Sequence, residues 1–381
     1  MKKLKVITVV GTRPELIRLS RLIPLLDDNC DHRLVHTGQN SDPSLKDVFF
    51  SDLGLRLPDY YLDADTSSFT RVMADTMVGC EKIFLDENPD AVMILGDTNS
   101  SVAAIVAERM EIPVYHMEAG NRSFDKNVPE ELNRKMIDHV ATFNLPYNSY
   151  SWSNLRDEGI HSRFLMKSGS PMREVLTYYA PEIEKSGVLG RIGLEPNSYI
   201  LVSIHRQENV DTPERLSQLL GSLGALHEVF GVRVIVSAHP RTRASIAGKN
   251  MTPPTTLEFV EPFGFLDYCK LQMNAKLVVS DSGTVSEESA ILGFPAISPR
   301  DSMERPEALE VGSVTLTGLE RESVLRGAQQ ALKAVQSSRQ LPEGYEVEDF
   351  SVRVLNFVLS TATLAEKWTG RVPRRKSERQ K

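Results

Sequence analysis

The stretch LKVITVVGTRPELIRLSRLIPLL, residues 4–26, decides the fold class of this chain. It opens with an apolar, β-branched run that predicts a strand and stops at Gly11. Beyond the glycine, apolar residues recur at helical spacing, and Thr12 followed by Glu15 has the pattern of a capping box at a helix start. A strand, a glycine turn and a helix in this order form the first unit of a doubly wound α/β domain.

The start of this predicted helix is a candidate anion site. A helix N-terminus offers backbone N–H groups and the positive end of the helix dipole, and Arg13 and Arg18 add formal charge nearby. An ordinary strand-to-helix turn with two surface arginines explains the same residues, so both interpretations stay open for this segment taken alone.

Strands and helices alternate through the first half of the chain. Further strands are predicted at residues 32–38, within 91–101, at 113–118 and at 142–146, with helices at residues 45–53, 70–88 and 150–158. Asp97 and Glu118 then lie just past the carboxyl ends of parallel strands, where open α/β sheets bind ligands. An Asp in this position is also a common helix N-cap, and that interpretation stays open for Asp97.

Charged side chains concentrate in residues 113–134, PVYHMEAGNRSFDKNVPEELNR. The predicted strand delivers His116 and Glu118 at its carboxyl end, and a helix that carries Glu130 restarts after Pro129. Carboxylates placed in this way suit proton transfer on a charged ligand. A solvated loop followed by a capped helix is the alternative, because glutamate in a first turn also favours the helix dipole.

The second half of the chain repeats the pattern. Strands are predicted at residues 198–205, 232–240 and 255–262 and at the start of 276–293, with a long helix at 213–230. His205 and His239 end two of these strands, and the DSGT turn at residues 281–284 follows another. Small residues that open a helix let backbone N–H groups approach a phosphate closely, and Glu288 lies one turn further along. A lone histidine is usually a core residue, but two at matching positions favour a ligand site.

The length of 381 residues predicts two domains, because one hydrophobic core rarely serves so long a chain. The predicted first domain spans residues 1–168 and the second spans 169–351, with a Gly-Ser-Pro turn at the boundary. A final helix at residues 352–368 is expected to pack back on the first domain. The basic residues 369–381 are predicted to form a flexible tail.

Charge and cysteine content restrict the compartment and the partners. The net charge of −7 argues against a nucleic-acid-binding surface as the main function. Cys30, Cys80 and Cys269 are widely spaced and odd in number, which predicts thiols in a reducing compartment and no metal site. No segment approaches the roughly twenty apolar residues of a membrane-spanning helix. We therefore expect a cytoplasmic protein that binds neither membranes nor nucleic acids.

Six short motifs occur in order along the chain. They are GTRPE (residues 11–15), GDT (96–98), HMEAG-R (116–122), PEE-NR (129–134), DSG--EE (281–288) and ERPEA (304–308). Together they resemble the non-hydrolysing UDP-N-acetylglucosamine 2-epimerase family over nearly the whole chain. The resemblance implies a glycosyltransferase-B-like α/β fold, with two Rossmann-like domains facing across a cleft that holds the active site. It also implies a homodimer that acts on a UDP-sugar and needs no cofactor and no metal.

The resemblance allocates roles to individual residues. The implied catalytic residues are Asp97, Glu118, Glu130 and His205. The candidate contacts to UDP or to the sugar are Arg13, Arg18, Asn121, Arg134, His239, Tyr268, Ser282, Gly283, Thr284, Glu288 and Arg305. Arg18 stands where the family has a lysine, and Tyr268 stands where the family has an aromatic residue that stacks on uracil.

Some motifs depart from those of the enzymes that act on UDP-N-acetylglucosamine. This chain has HMEAGNR where those enzymes commonly have H(V/I)EAGLR, and DSGT where they have DSGG. These variants look more like the branch that converts UDP-2-acetamido-2,6-dideoxy-L-talose to UDP-N-acetyl-L-fucosamine for capsule or O-antigen polysaccharides. Asn121 is expected to face the altered sugar. A UDP-N-acetylglucosamine 2-epimerase that makes UDP-N-acetylmannosamine is the alternative.

The resemblance also implies a mechanism. The C2–H bond of a 2-acetamido sugar is not acidic, so the family couples loss of the C2 proton to departure of UDP from C1. A glycal forms, C2 is protonated on the opposite face, and UDP adds back. Carboxylates must reach both faces of C2, while arginines, His205 and the turn at residues 281–284 stabilise the departing diphosphate.

Three other functions are compatible with these residues. They are a glycosyltransferase of the same fold, a hydrolysing relative that releases free UDP, and a sensor that binds a nucleotide sugar without reaction. A transferase would require an acceptor, and a sensor would not exchange the C2 proton with solvent. The dense set of carboxylates favours the epimerase over the transferase.

Overall fold

The computed structural model describes residues 3–39, 50–238, 240–334 and 340–371. These residues form two compact units. The first comprises the described parts of Met1–Arg122, Val128–Val175 and Glu346–Lys381, and the second comprises Ser123–Asn127 and the described parts of Leu176–Tyr345. The domain limits at residues 168 and 351 stay a prediction.

Some sequence predictions fall wholly or largely outside the described residues. His239 and most of the predicted helix at residues 45–53 lie there, as does the predicted tail beyond residue 371.

The first unit contains a parallel sheet of six strands. In chain order they are β1 (Lys5–Val10), β2 (Asp31–His36), β3 (Tyr60–Tyr61), β4 (Ala91–Leu95), β5 (Val114–Met117) and β6 (Phe143–Leu145), and their order in the sheet is β3-β2-β1-β4-β5-β6. All five residues of β4 are buried, as expected for a central strand that is covered on both faces. The predicted strands are confirmed with shorter bounds, whereas β3 is too short to give a periodic signal.

Helices cover this sheet. They are α1 (Arg13–Leu19), α2 (Leu22–Asn29), α3 (Phe69–Glu87), α4 (Ala103–Arg109), α5 (Glu130–Val140) and α6 (Ser149–Asp157). Residues from β1, β4 and β5 pack with Ile83 and Phe84 of α3 and with the alanines of α4 in one hydrophobic core.

The single helix expected after Gly11 is wrong, because the structure has two helices separated at Ser20 and Arg21. The physical reason is Pro24. A proline inside a helix lacks an N–H group and its ring clashes with the carbonyl four residues earlier, which here belongs to Ser20.

The second unit contains another parallel sheet of six strands. They are β7 (Tyr199–Ile204), β8 (Arg233–Ala238), β9 (Leu257–Val260), β10 (Leu277–Ser280), β11 (Ala296–Ser298) and β12 (Thr315–Leu316), in the order β12-β11-β10-β7-β8-β9. The accompanying helices are α7 (Met172–Lys185), which belongs to this unit from Leu176 onward, α8 (Val188–Ile192), α9 (Gln207–Val210), α10 (Pro213–Phe230), α11 (Pro240–Gly248), α12 (Phe265–Asn274), α13 (Val285–Leu292), α14 (Pro306–Glu310) and α15 (Arg321–Ala334).

Two helices near the end of the chain belong to the first unit. They are α16 (Phe350–Thr361) and α17 (Ala365–Thr369), joined by a 3-10 turn at Ala362–Leu364, where the sequence predicts one helix. The hydroxyls of Tyr115 on β5 and Thr361 on α16 form a hydrogen bond of 2.7 Å. Phe357 packs edge-on against Phe143, with ring centroids 5.3 Å apart.

Both sheets have the same topology. Numbered within its own unit, each sheet runs 3-2-1-4-5-6, which confirms the predicted doubly wound α/β class. The strand order reverses between β1 and β4 in the first unit and between β7 and β10 in the second. Ligands of such sheets bind at the carboxyl ends of the strands next to this reversal, so these two places are where a site is expected.

Candidate active site

The turns after β4 and β5 meet α1 at the carboxyl edge of the first sheet. Arg18 of α1 forms an ion pair with Glu118, which directly follows β5. A Cβ atom placed on Gly96, the first residue after β4, would lie 3.4 Å from the same carboxylate. The predicted site residues Arg18, Asp97 and Glu118 therefore share one region of the first unit.

Glu118 has an unusual backbone and a well-defined side chain. Its φ of +66° lies in the left-handed region, which glutamate rarely adopts. Arg18 engages one carboxylate oxygen, and the Nδ2 of Asn121 lies 3.3 Å from the other. The side chain is 13% exposed. A small part of the carboxylate therefore stays open to solvent, and its role in proton transfer stays a prediction.

Asp97 is paired with a second arginine. The Nη2 and Nε atoms of Arg134 on α5 lie 2.6 and 3.0 Å from one carboxylate oxygen of Asp97. The Nη1 atom of the same arginine donates to Glu131 over 3.0 Å. The N-cap of the 3-10 helix that follows β4 is Thr98, whose hydroxyl accepts a hydrogen bond from the N–H of Ser100. The N-cap interpretation is therefore excluded for Asp97, whose side chain is 29% exposed.

Glu130 is the first residue of α5 and is half-buried. It lies one helical turn before Arg134, the partner of Asp97. Its place at a helix start agrees with the sequence pattern, and its catalytic role stays a prediction.

Glu15 is the group at this edge that sequence reasoning treated as a helix cap only. It is 2% exposed, and its Oε2 atom accepts from the N–H groups of Gly11 and Thr12 at 3.0 and 2.7 Å. Its Oε1 atom accepts from the hydroxyl of Thr98 at 3.2 Å. Burial raises the pKa of Glu15 to about 7, although these hydrogen bonds oppose the shift. Glu15 thus occupies two N–H groups of the turn expected to hold phosphate, and Arg13 is half-buried beside it.

A buried charge network lies behind Glu118. The carboxylate of Asp138 accepts from the N–H of Gly120 at 3.1 Å and from Arg122 at 2.7 Å, and it lies 2.9 Å from the Nδ1 of His116. Arg122 also donates to Glu158 over 2.8 Å. The ring of His116 is fully buried. His116 is therefore held at the end of β5 by contacts within the protein.

In the second unit, a buried carboxylate organises the turn after β7. Asp281 is fully buried and accepts hydrogen bonds from the backbone N–H groups of His205 and Arg206, at 3.1 and 3.0 Å. It also accepts from the side chain of Asn209 at 3.1 Å. The ring of His205 is 39% exposed, with its Nδ1 3.5 Å from Asp281. His205 is thus held by its backbone while its ring stays accessible.

The turn after β10 lies beside this histidine. The hydroxyls of Ser282 and Thr284 are 3.0 Å apart at the start of α13. A Cβ atom on Gly283 would lie 3.0 Å from the carboxylate of Glu304 and 3.8 Å from the guanidinium of Arg206. A larger residue here would therefore press on the Glu304 side chain, and a phosphate at this turn would meet backbone N–H groups and two hydroxyls.

Glu288 and Tyr268 lie further inside the second unit. The Oε2 of Glu288 accepts a hydrogen bond of 2.6 Å from Gln272. The ring of Tyr268 packs against a core cluster of this unit, and burial together with the Glu288 charge raises the pKa of its hydroxyl. The expected contacts of Glu288 with ribose and of Tyr268 with uracil stay predictions.

Arg305 lies in the interior of the second unit. Its side chain is 1% exposed, and its Nη2 lies 3.3 Å from the carboxylate of Glu287, which is fully buried. This ion pair connects α13 with the residue that caps α14. The expected role of Arg305 in ligand binding stays a prediction.

Within the described parts of the chain, no group of three or more His, Cys, Asp or Glu side chains is arranged to hold a metal ion. Among the helices described, none is long and apolar enough to cross a membrane.

Comparison with known proteins identifies close matches. Residues 26–359 match the profile of a family described as UDP-N-acetylglucosamine 2-epimerase. A UDP-N-acetylglucosamine 2-epimerase of Methanocaldococcus jannaschii is 34% identical, over 86% of this chain and 92% of its own length. A UDP-2,3-diacetamido-2,3-dideoxy-D-glucuronate 2-epimerase of Pseudomonas aeruginosa is 30% identical, over 90% of this chain and 96% of its own length.

Solved structures agree with these matches. The structure of UDP-N-acetylglucosamine 2-epimerase from Rickettsia bellii is 38% identical with a TM-score of 0.88, covering 96% of this chain and 98% of that one. The M. jannaschii enzyme in complex with UDP-GlcNAc and UDP is 32% identical with a TM-score of 0.88, covering 93% of this chain and 99% of that one. The predicted glycosyltransferase-B-like class is confirmed.

Proposed function

Because the chain belongs to the UDP-N-acetylglucosamine 2-epimerase family, whose members are isomerases, we propose that it inverts C2 of a UDP-2-acetamido sugar. The observation that carries this proposal is the pair of carboxylates at the edge of the first sheet. Glu118 and Asp97 each follow a central strand, and each is paired with its own arginine. Two acidic groups in one region are what proton transfer on the two faces of one carbon requires.

The proposed reaction balances without any outside reagent. One carboxylate removes the C2 proton, the electron pair of that C–H bond forms the C1=C2 double bond, and the C1–O bond to UDP breaks. In the second half, a protonated acid delivers a proton to the opposite face of C2, and a UDP oxygen bonds to C1 again. Asp97, Glu118 and Glu130 share these roles in our proposal.

We propose that the second unit supplies the groups that hold UDP. The turn at Ser282–Thr284 opens α13 with two hydroxyls and backbone N–H groups, which suit a diphosphate. The accessible ring of His205 lies on the neighbouring turn and adds a donor for the negative charge of departing UDP. The M. jannaschii structure contains UDP-GlcNAc and UDP, which supports a UDP site in this family member.

For the sugar, we propose UDP-2-acetamido-2,6-dideoxy-L-talose, with UDP-N-acetyl-L-fucosamine as the product for capsule or O-antigen polysaccharides. The motif variants HMEAGNR and DSGT, with Asn121 in place of the leucine common in the first of them, support the assignment. A second candidate is UDP-N-acetylglucosamine, converted to UDP-N-acetylmannosamine. The names of several relatives, including one that is 34% identical, favour this second candidate. We also propose a homodimer, which light scattering of the purified protein would test.

The test is proton NMR in deuterated water with each UDP-sugar supplied alone. The panel contains the 6-deoxy-L-talose sugar, UDP-N-acetylglucosamine, and the diacetamido glucuronate sugar of the P. aeruginosa relative. We expect loss of the H2 signal and appearance of the C2 epimer with the first sugar. Turnover of another sugar alone would correct the substrate. Free UDP would indicate a hydrolase, and no H2 exchange with any sugar would overturn the proposed function.

A further inference from the structure

A chain of hydrogen bonds runs from α6 to the carboxylate of Glu118. The Oγ of Ser151 lies 2.8 Å from the Oδ1 of Asn121, and the Nδ2 of Asn121 lies 3.3 Å from the Oε1 of Glu118. Both Ser151 and Asn121 are buried. Neither Ser151 nor Asn121 is charged, so these two hydrogen bonds orient the Glu118 carboxylate without adding a second ion pair.

The chemistry of these groups permits one arrangement of the amide. A carboxylate accepts hydrogen bonds, so the NH2 end of Asn121 has to face Glu118. The carbonyl end then faces Ser151, whose hydroxyl is able to donate to it. If the amide were reversed, its carbonyl would oppose a carboxylate oxygen and the two acceptors would repel each other. Glu118 therefore selects the orientation of the Asn121 amide, and the Ser151 hydroxyl holds that orientation by donating to the carbonyl end.

The backbone around this pair is closely packed. The N–H of Ser151 donates to the side chain of Asn148, the N-cap of α6, over 3.0 Å. Asn154, on the same helix, donates to the carbonyl of Gly120 over 2.9 Å. A Cβ atom on Gly120 would lie 2.2 Å from the carbonyl oxygen of Ser151. Helix α6 and the turn before Asn121 are thus fixed against each other, which fixes the serine relative to the amide.

We propose that Ser151 and Asn121 are positioning residues that act together through Glu118, and this rests on the proposed role of Glu118 as an acid/base group. Arg18 holds one carboxylate oxygen and the Ser151–Asn121 pair holds the other, so the plane of the carboxylate is set from two sides. Small displacements of a catalytic group are costly to the rate, on the order of a hundredfold for about 1 Å.

The test is a double-mutant cycle with Ser151→Ala and Asn121→Leu. We expect kcat to fall about tenfold in S151A and further in N121L, with KM within about twofold of the wild type. Since Ser151 acts through Asn121, the double variant should match N121L alone. The matched control is Ser153→Ala, an exposed serine on the same helix, which should have wild-type kinetics.

Several outcomes would overturn this inference. Additive losses in the double variant would mean that the two residues act independently, and a raised KM with unchanged kcat would mean that Asn121 binds the sugar. Crystal structures of the wild type and S151A give a readout that does not depend on activity. We expect the Glu118 carboxylate to be rotated or displaced in S151A, and an unchanged carboxylate would refute the positioning role even if the substrate were different.

Discussion

Glu118 combines a strained backbone with a side chain held by two neighbours. A left-handed conformation costs roughly 1–3 kcal/mol for a residue with a Cβ atom, and the surrounding structure has to supply that energy. Here the ion pair with Arg18 and the amide of Asn121 hold the side chain that this backbone directs toward the end of β4. The strain is thus associated with the residue that the proposed chemistry uses.

The substitution Glu118→Gln tests this role. The amide has nearly the same shape but neither takes up nor releases the C2 proton, so we expect kcat to fall by about 10² to 10⁴. H2 exchange in deuterated water measures the rate, and circular dichroism checks that the fold is retained. Wild-type exchange in a folded E118Q protein would contradict the assignment.

Glu15 should make stability depend on pH. Its pKa is raised from 4.5 to about 7, so the folded protein holds this proton more tightly than the unfolded chain does. The stabilisation is fully present below pH 4.5 and is lost as the pH rises toward 7. Relative to the Glu15→Gln variant, the free energy of unfolding of the wild type should fall by on the order of 3 kcal/mol across this pH window. Urea unfolding of both proteins at several pH values measures the difference, and parallel curves would contradict the prediction.

Most site residues that the sequence does not reveal are hydrogen-bond partners of the site residues that it does reveal. Asp97, Glu118 and His205 follow strand ends, which a sequence pattern locates directly. Asp281 and Ser151 act through hydrogen bonds to residues 76 and 30 positions away, respectively. No local pattern encodes such contacts. Asp281 directly follows a buried strand, and this position is itself a signal for a site residue. The sequence pattern was instead interpreted as a turn that holds phosphate.

At the scale of secondary-structure elements, the turn between β5 and α5 depends on Gly120. Its φ is +83°, and its missing side chain lets α6 approach. Gly120→Ala should lower the free energy of unfolding by more than about 2 kcal/mol, because the penalty of a left-handed alanine adds to a clash with the Ser151 carbonyl.

Gly159→Ala is the matched control for this prediction. Gly159 also has a positive φ, +92°, but its Cβ position has no atom within 4 Å. The free energy of unfolding of this variant should fall by only about 1–2 kcal/mol, because the left-handed backbone conformation is the only penalty. Urea midpoints of the two variants make the comparison, and equal losses would show that close packing at Gly120 does not matter.

The elements themselves were predictable where their signal is strong. The strand at Leu277–Ser280 and the helix at Pro213–Phe230 are long or apolar enough to be found with correct bounds. The two-residue strands β3 and β12 exist because neighbouring strands pair with them, so their own residues carry no pattern. Ser186 and Gly187 separate α7 from α8, because glycine favours helix ends.

At the scale of the whole molecule, the two units should respond differently to UDP. If the second unit holds the nucleotide, saturating UDP at about 100 times its Kd should stabilise that unit by roughly 2.7 kcal/mol. Hydrogen exchange with mass spectrometry should show slower exchange around residues 205–209 and 281–288. Protection confined to the first unit would contradict the assignment of the UDP site.

The hydrogen bond between Tyr115 and Thr361 joins residues 246 positions apart. On the ribosome, the strand that bears this tyrosine therefore emerges long before the helix that covers it. The first unit therefore stays incompletely folded, with Tyr115 and Phe143 not yet covered by α16, while the whole second sheet is translated. Chaperone binding to stalled chains should consequently persist until α16 leaves the exit tunnel, well after the last strand has been made.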